Sequence, residues 1–219
     1  MSTQMPGATR AVGFWAALFA TAFSISYDLG QVAEWLGWLG SAGGPESMST
    51  PLGIAVLLLP SLLLAPSFVL MLVAIDHATP DARRVWTKSA VAMGIVYAVM
   101  ISINYYVQLA LVMPRLARGD VRGIEPFLFV PFDSFLYAVD VLGYSFMSAA
   151  LLLAAMAFPG VSTERRARWF MIGTGALIPF LLLQMYWHPL IWFASAWAVT
   201  FPGATWAIAL MFRRASAST

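Results

Sequence analysis

The sequence predicts an all-α polytopic membrane protein, a bundle of six transmembrane helices with both termini in the cytoplasm. Residues 169–212 form a run of 44 residues without Asp, Glu, Lys or Arg. As a helix this run would measure about 66 Å, roughly twice the ~30 Å hydrocarbon core of a bilayer, so it is predicted to cross twice. The composition agrees, because 61% of the residues are hydrophobic and only 10% are charged.

Six hydrophobic segments predict the individual helices. They lie at about 11–35, 51–75, 89–112, 134–158, 168–187 and 190–212, with the last turn near His188 and Pro189. The connections between them contain the turn-forming residues and most of the charge. No small-x-small cleavage site closes the first segment, so we interpret it as a retained helix rather than a secretory signal. Residues 1–219 are therefore expected to form a single transmembrane domain.

The distribution of positive charge predicts the orientation. Nine Lys and Arg residues flank the membrane on the side of the N-terminus, and three lie on the opposite side. Because cytoplasmic loops carry the excess of positive charge, both termini are predicted to be cytoplasmic. The three exceptions lie in the third loop, where they are followed by the apolar stretch PFLFVPF. This loop is interpreted either as a plain connection or as a flap on the outer membrane surface.

Several site chemistries are excluded by residue counts. The chain has no cysteine, and its two histidines, His77 and His188, are predicted to lie on opposite sides of the membrane. Neither a thiolate metal site nor a shared haem is expected, and we predict no metal and no cofactor. The isoelectric point is near 9.2, but the basic clusters flank apolar segments. Lipid head groups are therefore expected as partners rather than nucleic acid.

Polar residues recur inside four of the predicted helices. Their spacings of three, four or seven place each set on one helix face. The sets are Thr21, Ser24, Asp28 and Gln31; Tyr97, Asn104 and Gln108; Asp133, Tyr137, Asp140 and Tyr144; and Gln184 with His188. Under the predicted topology, the most polar members fall in the outer halves of their helices. This common depth predicts one outward-facing cavity.

The candidate ligand-binding residues of this cavity are Asp28, Asn104, Gln108, Asp140, Tyr144, Gln184 and His188. Amides and phenols also serve as hydrogen bonds between membrane helices, and His188 beside a turn also fits an interfacial residue. Asp140 is different, because it is predicted about 9 Å below the outer edge and has no basic residue within its helix. We therefore favour a functional or network role for Asp140.

Three short motifs carry a resemblance to a group of proteins. They are Asn104-Tyr105-Tyr106-Val107-Gln108, the loop Pro-Arg-Leu-Ala-Arg-Gly-Asp, and Asp140-Val141-Leu142-Gly143-Tyr144. Over roughly residues 100–158, and at the closing Phe212-Arg213-Arg214, the chain resembles small bacterial multi-pass membrane proteins of unknown function. The resemblance implies a bacterial inner-membrane setting and a polar pair on the third helix that faces an acidic residue on the fourth. It implies no activity.

Three functions are compatible with these observations. The first is binding or transport of a small polar or amphiphilic molecule, with a small molecule or a lipid as ligand. The second is a structural or assembly subunit that docks onto another membrane protein. The third is a lipid-modifying enzyme, with Asp140 as acid or base and His188 assisting.

Overall fold

The computed structural model describes residues 6–158 and 162–214, and all regular secondary structure in these ranges is helical. Six helices are long and apolar enough to cross a membrane, which confirms the predicted fold class. We call them the first to sixth spans; they are Gly7–Trp35, Pro51–Ala78, Asp81–Leu116, Phe135–Met156, Glu164–Leu183 and His188–Arg214. The protein is therefore a multi-pass membrane protein.

The spans pack as a closed ring. Each span contacts the next along the chain, and the sixth returns to pack along the first. The first and sixth spans meet closely, because the hydroxyl of Thr21 donates to that of Thr205 at 2.8 Å and Gly13 lies against the ring of Phe212. Phe68 and Phe201 contact each other inside the ring. Successive spans run antiparallel; for example, Gly94 and Tyr97 on the third span lie against Leu72 and Phe68, respectively, on the second.

The two ends of the bundle differ. One end carries Gly7, Ala78, Met156 and Arg214, and we call it the terminal end. The opposite end carries the connections 36–50, 117–134 and 184–190, and we call it the loop end. Two spans start at the loop end with capped helices, since Thr50 accepts a hydrogen bond from the Gly53 amide and Ser134 accepts one from the Tyr137 amide.

Three spans depart from regular α-helix near the loop end. The third contains a π-helical turn at Gln108–Val112, directly before Pro114. The fifth is interrupted at Leu177, where Pro179 cannot donate to the helical ladder. The sixth opens with a 3₁₀ turn at His188–Leu190 and is interrupted again at residues 195–196. The second span, in contrast, stays helical through its two internal prolines.

The predicted boundaries need correction in two spans. The third span extends from Asp81 to Leu116 rather than over 89–112, because the helix continues through the π-helical turn and Pro114. The fifth span ends at Leu183 instead of 187. The turn predicted near His188 is present, but it begins earlier, at Gln184.

The third loop folds inward at its apolar half. Ile124 and Phe132 are buried, and Leu128 and Phe129 face the interior of the loop end. The polar half is held by Asp120, whose carboxylate accepts hydrogen bonds from Arg115 at 3.0 Å and Arg122 at 3.3 Å. These bonds hold the pKa of Asp120 below its usual value. The loop is thus more than a plain connection, since part of it packs into the bundle.

Candidate functional site: a cavity at the loop end

A cavity of about 420 Å³ lies inside the ring at the loop end. This volume falls within the range of about 300–1,000 Å³ that is typical of small-molecule pockets. Five of the seven candidate residues line the cavity, and they come from the first, third and fourth spans and from the turn after the fifth: Asp28, Gln108, Asp140, Tyr144 and Gln184. Residues that were predicted to lie at a common depth on separate helices therefore line the same cavity.

Asn104 does not line this cavity. Its side chain is fully buried, and its amide group donates to the main-chain oxygen of Leu136 at 2.9 Å. This bond ties the third span to the first turn of the fourth. Asn104 is one helical turn from Gln108, but its predicted place in the cavity lining is not observed, and its amide oxygen is buried without a hydrogen-bond partner.

His188 also lies outside the cavity lining. Its ring stacks on Phe132 with centroids 4.2 Å apart, and its Nδ1 lies 3.4 Å from a carboxylate oxygen of Glu46. The predicted face shared with Gln184 does not form, because the helix ends at Leu183 and a spacing of four has no helical meaning beyond that point. His188 is an exposed residue at the loop end.

Gln184 closes the cavity between the fourth and fifth spans. It is buried, and its amide oxygen accepts a hydrogen bond from the phenol of Tyr137 at 3.1 Å. Its amide nitrogen donates to the main-chain oxygen of Leu181 at 2.9 Å. Both ends of the side chain are therefore satisfied by protein groups, which leaves Gln184 as a wall of the cavity.

Gln108 lies within the π-helical turn and connects it to the third loop. Its amide nitrogen donates to the main-chain oxygen of Phe127 at 2.6 Å, while its amide oxygen has no hydrogen-bond partner in the protein. π-Helical turns occur frequently at functional sites, where they change the direction of a side chain. Here the turn places one side chain so that it holds the loop and also faces the cavity.

Asp140 is surrounded by phenols. Its side chain is 8% exposed, and one carboxyl oxygen has no hydrogen-bond partner. The phenol of Tyr105 interacts with the Asp140 carboxyl group and lies 3.1 Å from the hydroxyl of Tyr144. Four tyrosines line the cavity together with Asp140, namely Tyr27, Tyr105, Tyr137 and Tyr144, and a fifth, Tyr97, packs on Tyr144 with centroids 5.8 Å apart.

Trp197 completes the aromatic part of the lining. Its ring is nearly perpendicular to Tyr144, at 89° and 5.2 Å between centroids, and to Tyr27, at 87° and 6.3 Å. The opposite support comes from Phe201, which stacks on the indole at 4.6 Å. Edge-to-face contacts of this kind fix ring orientation. The indole is thus nearly perpendicular to both phenol rings, while the rings of Tyr27 and Tyr144 are inclined by only 28° to each other, with centroids 6.4 Å apart.

Sequence reasoning missed several lining residues. Glu34 is 2% exposed and both of its carboxyl oxygens lack a hydrogen-bond partner. It follows Gln31 by three residues, so extending the polar face of the first span by one step would have included it. Tyr27 and Tyr105 adjoin residues that were recognised, whereas Trp197 gave no signal, because it lies in an uninterrupted apolar run.

The surroundings of the cavity offer few metal ligands. Within residues 6–158 and 162–214, no group of three or more His, Asp or Glu side chains is arranged to hold a metal ion. The acidic residues that line the cavity are Asp28, Glu34 and Asp140, and the part of the chain described here places no Lys, Arg or His among the lining residues. The cavity thus combines carboxyl groups, phenols and apolar surface.

Comparison with known proteins identifies no relative of this chain. The chain matches no protein-family model, no curated protein and no solved structure. The bacterial setting implied by the sequence resemblance therefore stays a prediction. What the structure shows is a multi-pass membrane protein with six spans, in which each span packs on the next and the sixth packs on the first.

Proposed function

We propose that this protein binds or transports a small polar or amphiphilic molecule in the cavity at the loop end. In this proposal the protein resides in a bacterial inner membrane, with the terminal end in the cytoplasm and the cavity facing outward. The orientation rests on the charge distribution, since nine Lys and Arg residues flank the terminal end and three flank the loop end.

The observation that carries the proposal is the composition of the cavity lining. Most of the wall is apolar, with Leu57, Leu58 and Val141 among its residues, and a small number of polar groups converge on the space. Ligand pockets in proteins have this composition, because apolar surface supplies affinity and a few polar groups supply orientation. An intramembrane carboxyl group such as that of Asp140 is itself a functional-site indicator.

The irregular backbone supports the same proposal. Three spans depart from α-helix close to the cavity, and residues at these points, including Gln108, Val112 and Ser195, belong to its lining. Backbone that is not regular helix is tolerated at membrane depth where it is buried in protein or lines a cavity. Transporters place such interrupted helices around their substrate sites.

The two alternative functions receive less support from the geometry. The lipid-modifying reaction required Asp140 and His188 to act together, and His188 contacts Phe132 and Glu46 rather than the cavity. The assembly subunit remains an alternative, but the exposed large apolar side chains of the described residues do not single out a protein partner, because they also suit contact with lipid.

Cysteine accessibility tests the proposed function. The natural chain has no cysteine, so single-cysteine variants need no background removal. Both Ala198 and Val199 are exposed, but only Ala198 lines the cavity. The variants Ala198→Cys and Val199→Cys are compared in sealed vesicles by their reaction with a charged, water-soluble methanethiosulfonate.

A water-filled outward cavity predicts that Ala198→Cys reacts from the outside about tenfold faster or more, since thiolate forms only in contact with water. Equal melting temperatures of the two variants serve as the folding control. If both variants resist the reagent to the same extent, the space is closed to solutes and the proposed function fails.

A further inference from the structure

The ionisable groups of Asp and Glu in the cavity lining have no basic counterpart among the lining residues that the structure describes. Three carboxyl groups line it at two levels, with Glu34 near the connection 36–50 and Asp28 and Asp140 deeper in the bundle. Asp28 and Glu34 are six residues apart on one helix, which separates the two levels by about 9 Å. In the described part of the chain none of these carboxyl groups forms an ion pair. A buried carboxylate without a partner is costly, and a bound cation removes that cost.

The unpartnered polar atoms of the lining indicate which hydrogen-bonding groups the ligand brings. Among the described residues, the buried lining atoms without a partner include four acceptors and one donor. The acceptors are the two carboxyl oxygens of Glu34, the amide oxygen of Gln108 and one carboxyl oxygen of Asp140; the donor is the indole nitrogen of Trp197. A ligand rich in N–H donors satisfies this set better than an anion or a hydroxylated neutral molecule does.

The aromatic walls suit the same ligand class. Phenol rings of Tyr27, Tyr105, Tyr137 and Tyr144 and the indole of Trp197 surround the deeper carboxyl groups. Faces of such rings attract cations, and the attraction increases when the cation is removed from water. Beyond the rings, Ile54, Leu57 and Leu58 offer aliphatic surface for an apolar body.

We infer that the ligand of this cavity is an amphiphilic organic ammonium ion, whose N–H groups bind the carboxyl groups while its apolar body packs on the aromatic and aliphatic wall. This inference rests on the proposed function, because it assigns a ligand class to the same site. It excludes anions and uncharged molecules of equal size as preferred ligands.

Three probes of nearly equal size test the assignment. Phenethylammonium carries the charge and the N–H donors, 2-phenylethanol is uncharged, and phenylacetate is an anion. Their binding is measured by calorimetry at pH 7 on the purified protein in uncharged maltoside micelles, which avoids lipid charge. Phenethylammonium is expected to bind about tenfold more tightly or better than either control, since a close charge pair contributes at least this much.

Variants locate the binding in the cavity. Asp140→Asn and Glu34→Gln each remove a charge and keep the shape of the side chain, and each is expected to weaken phenethylammonium binding about tenfold. Asp133→Asn is the matched control, because Asp133 is an exposed carboxylate at the same end of the bundle and is not part of the lining. It makes the same change in net charge and should leave the affinity unaltered. Melting temperatures identify any variant that is unfolded. If one of the two lining variants is unfolded, the affinity of the other one tests whether the ligand binds in the cavity.

The outcomes separate this inference from the proposed function. If 2-phenylethanol or phenylacetate binds as tightly as phenethylammonium, the cavity binds solutes but the ammonium class is wrong. If phenethylammonium fails to bind although the Ala198→Cys variant reacts with its reagent, the ammonium inference is also overturned while the open cavity stands. If no probe binds and Ala198→Cys is protected, both proposals fall.

A lipid head group is a second source of the same chemistry. Phosphatidylethanolamine carries a primary ammonium group on an apolar body, so the calorimetry is repeated with this lipid or with phosphatidylglycerol added to the micelles. Competition by phosphatidylethanolamine alone supports an ammonium site that a lipid occupies, and absence of competition supports one for a free amine. Competition by phosphatidylglycerol alone contradicts the inference, because its head group has no ammonium.

Discussion

The phenol of Tyr137 on the fourth span donates a hydrogen bond to the amide oxygen of Gln184, 3.1 Å away at the end of the fifth span. Gln184 is buried, and its amide nitrogen is already engaged with the main chain of Leu181. The pair therefore fixes the point at which the fifth span ends. Both residues also line the cavity.

We predict that Tyr137→Phe lowers the free energy of unfolding by about 1 kcal/mol, because the buried amide oxygen of Gln184 loses its donor. The measurement is thermal or denaturant unfolding of the purified protein. Tyr106→Phe is the matched control, since Tyr106 lies on the third span and is 65% exposed. Equal effects of the two substitutions would show that the Tyr137 hydrogen bond does not stabilise the fold.

Gln108 is predicted to hold the third loop in place. In a Gln108→Leu variant the main-chain oxygen of Phe127 loses a donor that lies 2.6 Å away in the wild-type protein. We expect faster hydrogen exchange over residues 124–130 and little change in the second span, because local opening depends on local contacts. Exchange that stays at the wild-type rate in this segment would contradict the role of Gln108.

The folded structure of the polar half of the third loop is predicted to depend on pH only at acidic pH. Hydrogen bonds from Arg115 and Arg122 lower the pKa of Asp120 below its ordinary value of 3.8. A carboxyl group with a depressed folded-state pKa contributes stability that is fully present above the unfolded value and is lost as pH falls through the folded value. Hydrogen exchange over residues 117–123 should therefore be protected equally at pH 5 and pH 7, after correction for the intrinsic rate.

Below pH 3.8 the protection should fall, and Asp120→Asn should remove it at every pH. Because Asp120 is only partly buried, the effect is expected to stay within the loop. A loss of protection already between pH 5 and pH 7 would show that the stability of the loop depends on a titrating group other than Asp120.

Gly175 on the fifth span is predicted to be intolerant of a side chain. A Cβ atom at this position would lie 2.6 Å from the Cβ of Leu152 on the fourth span, and neither atom can move without its backbone. Gly175→Ala should therefore lower the free energy of unfolding by about 1–3 kcal/mol, as overpacking does. Gly7→Ala is the control, since a Cβ there meets nothing within 4 Å. A Gly175→Ala variant as stable as Gly7→Ala would show that the fourth and fifth spans are not in close contact.

Single-cysteine labelling tests the orientation. Ser47→Cys lies at the loop end and is expected to react with a membrane-impermeant maleimide on intact cells. Ser216→Cys lies in the C-terminal residues outside the described structure and is expected to react only after the membrane is permeabilised. Reaction of both variants from the same side would exclude the predicted six-span topology and the outward direction of the cavity.

The number and approximate positions of the spans could be read from the sequence, because the length of an apolar run is a local property that a bilayer core of ~30 Å converts directly into a helix. The polar faces that contain Asp28, Asp140 and Tyr144 could also be predicted from the sequence, since helical spacing alone places residues on one side of a helix. Extending the first of these faces by three residues would have included Glu34.

Only the tertiary structure decided which of these faces meet. Asn104 and Gln108 are one helical turn apart, yet the first binds the backbone of Leu136 and the second faces the cavity from a π-helical turn. His188 does not line the cavity because the fifth helix ends at Leu183. Trp197 does line it, although it lies in an apolar run that gave no polar signal in the sequence. Helix ends, π-helical turns and the order of spans in a ring depend on contacts between distant segments, and helical spacing within one segment does not contain that information.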